Sequence, residues 1–248
     1  MKKNSTVAIV RKQNFKERKL TIGMDLGDRS TYYCVLDEAG EVLVEQKLPT
    51  TKPAMQQVFG RMPSSRVALE TGEHSPWVSR QLTQLGHEVI VAHARNVRLI
   101  GESSRKDDRL DARMLARLAR LDPRLLSSVQ HRSAEAQAHL TVIRARDALV
   151  GARTALVNSA QGLAKSYGER MRKCGTQQVG KNLATGLSVE LRVALEPLLA
   201  EVASLTQRIA DYDHRMEQIA TEVHPEVALL KQVKGVGTLI APTYVLTV

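Results

Sequence analysis

The sequence predicts an α/β domain, a mixed sheet with helices on its faces, followed by an α-helical half built from two long paired helices. Three observations carry this. Short β-type runs come first in succession and then alternate with helical runs between residues 20 and 94, the order that lays helices on the faces of a partly parallel sheet. From residue 104 onward the apolar period is almost wholly helical. Two later segments repeat apolar or small residues at alternating spacings of three and four, a heptad seam.

Taken in order, the first 20 positions form a basic arm with seven Lys or Arg against one acid, Glu17. "LTIGMDLGDRS" and "TYYCVLDEAGEVLVEQKLPT" read as three short strands, with "EAGE" as a hairpin turn. A helix follows at about 52–61, then a strand "RVALETG", a helix "SPWVSRQLTQLG" and a strand "HEVIVAHA". The stretch "SRKDDRLDARMLARLAR", residues 104 to 120, reads as a helix. Leu110, Met114, Leu118 and Leu121 form its apolar stripe, while Arg105, Arg109, Arg113, Arg117, Arg120 and Arg124 gather on another.

Val142, Ala145, Leu149, Ala152, Leu156, Ser159 and Leu163 make the first seam. Leu198, Val202, Leu205, Ile209, Tyr212, Met216, Ile219 and Val223 make the second, with Pro197 suited to the first turn of its helix. The two predict an antiparallel coiled-coil hairpin that protrudes or dimerises, joined through "YGERMRKCGTQQVGKNLATG". The expected divisions are the arm at 1–20, the α/β domain at 21–130, the coiled-coil region at 131–226 and a further segment at 227–248.

The formal charge of +10 and a pI near 9.8 suggest a polyanionic partner. Cys34 and Cys174 lie far apart without metal-ligand spacing, and read as incidental thiols of a cytoplasmic protein. No apolar run reaches the length of a membrane span. The seven histidines show no HxxxH or HExxH spacing, and Trp77 reads as a core anchor.

Four carboxylates stand out. Strand alternation sends Gly23, Asp25 and Gly27 to one face, and an acid between glycines suits a place where a ligand approaches the backbone. In "RVALETG", Ala68 and Glu70 share a face. If the two strands are neighbours, Asp25 and Glu70 lie roughly 5 Å apart. Asp108 and Asp111, three apart on a helix, share a face about 5–6 Å apart. Singly, each acid reads as a solvated carboxylate. Jointly, they read as a site for two divalent ions about 3.5–4 Å apart, the arrangement of phosphoryl transfer.

The series "GMDLG … ALETG … KDDRLDARMLA" resembles the DEDD-type insertion-sequence transposases, which include the Piv-type DNA invertases. The resemblance runs from residue 21 to 248. It implies an RNase H-like, RuvC-like amino-terminal domain and a catalytic, metal-binding tetrad of Asp25, Glu70, Asp108 and Asp111 with Mg²⁺ or Mn²⁺. Asp107 is the extra acid. The resemblance further implies DNA cleavage and strand transfer, a coiled-coil segment after the first domain, and use of a structured guide RNA. The seams themselves suggest a homo-oligomer formed through that coiled coil. The arginines at 105, 109, 113, 117 and 120 are the expected nucleic-acid contacts.

"LLKQVKGVGTLIAPTYVLTV" resembles only the opening of the family's second domain, a helix-hairpin-helix around Gly235, Val236 and Gly237. No serine matches that domain's nucleophile, so the expectation is a carboxy-terminally truncated transposase, inactive alone. A Holliday-junction-resolvase-like nuclease and a non-catalytic DNA- or RNA-binding remnant are the competing readings. A sugar-kinase or actin-like ATPase ranks last, since no second phosphate loop is present.

Overall fold

The computed structural model describes residues 19–93, 107–172 and 185–247. Its contacts divide the chain into two units, with the division between His131 and Arg132.

The first unit is built on five strands, β1 (Thr21–Leu26), β2 (Ser30–Leu36), β3 (Val42–Pro49), β4 (Arg66–Glu70) and β5 (Glu88–Ala92). They lie in the order β3-β2-β1-β4-β5. β1, β2 and β3 pair antiparallel, while β4 runs parallel to both β1 and β5. The mixed sheet expected from the sequence is present. The β2–β3 turn forms at "EAGE": Asp37 Oδ1 accepts from the backbone N–H groups of Ala39 and Glu41, and Gly40 takes φ +87°, a value that costs glycine little.

Helices α1 (Lys52–Phe59) and α2 (Ser75–Gln84) cover one face. Met55, Val58, Phe59, Val78 and Leu82 pack there on Ile22, Met24, Tyr33, Val67 and Leu69. Helix α3 (Asp108–Leu121) covers the other face, with Ala112, Leu115, Ala116 and Ala119 against Cys34, Leu36, Ala68 and Ala92. The central strands are therefore covered on both sides, with the small residues Gly23 and Ala68 on the face under α3. A short 3-10 turn, Pro123–Leu126, returns the chain to the sheet edge. There Val129 N–H bonds to Val91 C=O at 2.8 Å.

The packed stripe of α3 differs from the expected one. Leu118 is buried and Met114 partly buried as expected, but Leu121 is 80 % exposed and Leu110 39 %, and Ala112, Leu115, Ala116 and Ala119 make up the rest of the packed face. Where the helix crosses Gly23 its packed residues are Ala112 and Ala116, because the backbone approach there leaves no room for larger side chains.

The second unit holds two long helices, α4 (Ala134–Ser166) and α5 (Val189–Glu222). They run antiparallel: His139 meets His224, and Arg146 pairs with Asp213 at 2.8 Å. The seam expected on α4 is displaced by one position. Ile143, Arg153, Ala160 and Ala164 are buried, while Ala152, Ser159 and Leu163 are exposed.

On α5 the expected positions Val202, Leu205, Ile209 and Met216 are buried, but the buried line starts earlier, at Leu191 and Leu195. It ends on Ala220 rather than Val223. Pro197 is not in the first turn either, because it lies inside α5. It deletes a hydrogen bond to the carbonyl of Val193, and both residues sit on the exposed side, where water can satisfy that carbonyl. Two short helices, α6 (Glu226–Leu230) and α7 (Ile240–Thr247), flank a turn in which Gly235 takes φ +92°. No described helix is long and apolar enough to cross a membrane.

Candidate functional site

The parallel register of β1 and β4 pairs Ile22 with Val67, Gly23 with Ala68 and Met24 with Leu69. Asp25 and Glu70 are the next residue on each strand. By alternation they share the face of Gly23 and Ala68, the face that α3 covers. Both are half-buried.

Gly23 sets how closely α3 approaches. A Cβ at this position would lie 2.0 Å from the Ala112 carbonyl oxygen and 2.4 Å from the Ala116 nitrogen. The backbone that comes close to this glycine is a helix of the same chain, where the sequence suggested a ligand. At the other end of the strands, Arg66 donates from Nη1 to the Ala119 carbonyl at 3.3 Å. Helix α3 therefore runs opposite to β1 and β4, and its amino end lies toward the strand ends that carry Asp25 and Glu70.

That amino end carries the three clustered aspartates. Asp107 is the N-cap, and its side chain accepts from the Arg109 N–H at 3.0 Å. The extra acid thus has a structural role. Asp108 and Asp111 occupy the first turn, where the helix dipole stabilises negative charge by about 0.3–1 kcal/mol. Their positions continue the packed line of Ala112, Leu115 and Ala119 toward the sheet. Asp108 is exposed and Asp111 half-buried.

The fold therefore brings the four acids to one end of one sheet face. It does not draw their side chains into a tight cluster. Among the described residues, no group of three or more His, Cys, Asp or Glu could hold a metal ion as placed. Carboxylate oxygens remain the donor type that Mg²⁺ and Mn²⁺ prefer.

The arginines divide by role. Arg113 donates from Nη2 to Glu45 Oε2 on β3 at 2.7 Å and from Nε to Oε1, a bidentate pair. Arg109 lies 3.7 Å from the same carboxylate. Hydrogen bonding from Arg113 holds the Glu45 carboxyl below its ordinary range and raises the guanidinium in turn. Arg113 thus ties α3 to β3, which sequence reasoning did not anticipate. The signal available was Glu45 itself, an acid in a strand adjoining a basic helix. Arg120 packs over Gly40, and Arg124 pairs with Asp122 at 3.0 Å. Arg117 is exposed. Arg105 lies outside the described residues.

Beside Glu45, burial first and the carboxylate second push the Cys34 thiol up to about 12. Cys174 lies outside the described residues. His87 is satisfied in the core, its Nδ1 accepting from Ser65 N–H and its Nε2 donating to the Phe59 carbonyl. Trp77 packs against the core only partly buried, and donates from Nε1 to His74.

With this geometry in view, the comparisons with known proteins agree on one family. The model of the IS110-type DEDD transposases, described as "Transposase", matches residues 22–168. A transposase for insertion sequence element IS1111A of Coxiella burnetii is 26% identical over 239 residues, covering 93% of this chain and 63% of that protein. A probable family 20 transposase of Pseudomonas aeruginosa is 27% identical, covering 89% of this chain and 65% of its own length. A transposase for insertion sequence element IS1328 of Yersinia enterocolitica is likewise 27% identical, with the same two coverages, 89% and 65%. The chain thus spans a little under two thirds of the length of these relatives. It belongs to the IS110-type DEDD transposase family.

Proposed function

We propose that this chain carries the acid site of an insertion-sequence transposase, which cleaves and transfers DNA strands. The observation that carries the reading is the seating of α3 on Gly23. It directs the first turn of the helix, with Asp108 and Asp111, toward the strand ends that bear Asp25 and Glu70. In this reading those four residues hold Mg²⁺ or Mn²⁺. When bound, the ions polarise a scissile phosphate and stabilise the charge that develops on its oxygens.

The chain's own residues supply position and field. Asp107 fixes the start of α3, while Glu45 and Arg113 pin the helix to β3. Four carboxylates at one end of a sheet face would repel one another if brought together, and a cation held by them would offset that repulsion. Exposed Arg117 and the basic arm meet the DNA backbone, a role for which Arg113 is less suited because Glu45 already neutralises it. A structured guide RNA and self-association through α4 and α5 belong to the same reading. The relatives extend beyond the span matched here, and in this reading a region corresponding to that remainder would supply the nucleophile for strand transfer.

The test is a DNA assay with Mn²⁺, using this chain alone and joined to the additional region of a full-length relative. The reading expects strand transfer only from the joined protein, lost in Asp25→Asn and Asp108→Asn. Metal-dependent cleavage by this chain alone, abolished in Asp25→Asn, would favour a resolvase-like nuclease. Salt-sensitive binding without chemistry in either protein would leave a nucleic-acid-binding remnant.

A further inference from the structure

The second unit contains a histidine pair that the acid site does not use. His139 lies in the second turn of α4, and His224 lies just beyond the end of α5. His139 Nδ1 and His224 Nε2 are 3.2 Å apart, with the ring planes at 89°. The other nitrogen of His224, Nδ1, lies 3.4 Å from Glu226 Oε1. The His224 side chain is only 15 % exposed.

Two neutral imidazoles at this separation share at most one hydrogen bond. The same separation suits two nitrogen ligands of one ion: bonds of about 2.0–2.1 Å in a tetrahedral arrangement place the donors about 3.3–3.4 Å apart. The glutamate supplies a second, independent feature. Metal-bound histidines generally donate their remaining ring N–H to a carboxylate, which fixes the tautomer and the ring. Glu226 stands where it would do this for His224.

We propose that His139 Nδ1 and His224 Nε2 bind a borderline transition cation of the Zn²⁺ or Ni²⁺ class, with Glu226 orienting His224. Among the described residues no third His, Cys, Asp or Glu completes the set. The protein therefore contributes two ligands, and water fills the remaining positions. Imidazole selects such cations over Mg²⁺, which separates this site chemically from the proposed carboxylate site. A bound ion would join the start of α4 to the turn between α5 and α6. That turn leads into the carboxy-terminal helices, so the ion would stiffen their connection to the long helices.

Calorimetric titration of the full chain with Ni²⁺, in excess Mg²⁺, tests this. One saturable site is expected, lost in His139→Ala and in His224→Ala and unchanged in His93→Ala. Glu226→Gln should weaken it about tenfold. Mass-spectrometric mapping of diethyl pyrocarbonate modification removes any dependence on the folding of variants. In the wild type, Ni²⁺ should protect His139 and His224 and leave the reactivity of the other histidines unchanged. Absence of a saturable site, binding that survives both alanine variants, or protection at other histidines would overturn the proposal and leave the pair a hydrogen bond.

Discussion

The carbonyl oxygen of Ala112 lies 2.0 Å from where a side chain of residue 23 would begin. Gly23 and Ala112 thus fix how closely the acid-bearing helix rests on the sheet. Gly23→Ala should destabilise the protein by about 3 kcal/mol, the upper end of the usual overpacking cost, because the obstructing atoms are backbone. Urea unfolding measures it. A loss below about 1 kcal/mol would mean that α3 can retreat without penalty.

Glu45→Gln removes one charge from the bidentate pair with Arg113. Hydrogen bonds to charged groups contribute about 1.5–3 kcal/mol, so a loss of about 2 kcal/mol at neutral pH is expected. The Glu45 carboxyl is depressed in the folded state. Its contribution is therefore fully present above the unfolded value of about 4.3 and is lost as pH falls through the lower folded value. Stability curves of wild type and variant should converge in acid. Curves that stay parallel down to pH 2 would place the stabilisation elsewhere.

How much of this was legible in the sequence depends on what a residue type can signal. Alternation in "TIGMDLG" and "RVALETG" groups Asp25 with Gly23 and Glu70 with Ala68, because period two is a property of the strand alone. Only the packing of α3 on Gly23 and Ala68 shows which face that is. The packed stripe of α3 is legible only in part: Leu118 is buried and Met114 partly so, but Ala112, Ala116 and Ala119 are buried in place of Leu110 and Leu121, because leucines outrank alanines in any hydrophobic pattern. Only the close approach at Gly23 reveals that alanine is required. The α4 seam slipped by one position for a related reason: Arg153 is buried there, and a charged residue does not look like core. The role of Glu45 depends on a partner 68 positions away, which local spacing cannot reveal.

Cys34 is fully buried, and its thiol is pushed up to about 12. In a Cys174→Ser background the native protein should not react with a thiol reagent such as dithionitrobenzoate at pH 8, since the thiolate is the nucleophile. One equivalent should react after denaturation. Rapid reaction in the folded state would show that β2 opens readily.

Pro197 interrupts the hydrogen bonding of α5 from within. Pro197→Ala should raise the thermal midpoint, with a gain of about 1–3 kcal/mol, since proline is about 3 kcal/mol worse than alanine in a helix interior. Calorimetry reads this. A lower midpoint would indicate that the proline, with its neighbours Glu196 and Leu198, shapes a bend that the pairing with α4 requires.

The central claim is that Asp25, Glu70, Asp108 and Asp111 act as one cation site. The most direct measurement is the shift in thermal midpoint on adding Mg²⁺ or Mn²⁺ to the wild type, Asp25→Asn, Asp108→Asn and the N-cap variant Asp107→Asn. A ligand that binds only the folded state at ten times its dissociation constant adds about 1.4 kcal/mol, a rise of about 3–5 °C for a chain of this size. The account predicts that rise in the wild type and in Asp107→Asn, and its loss in Asp25→Asn and Asp108→Asn. Equal shifts in all four proteins, or no shift in any, would contradict it.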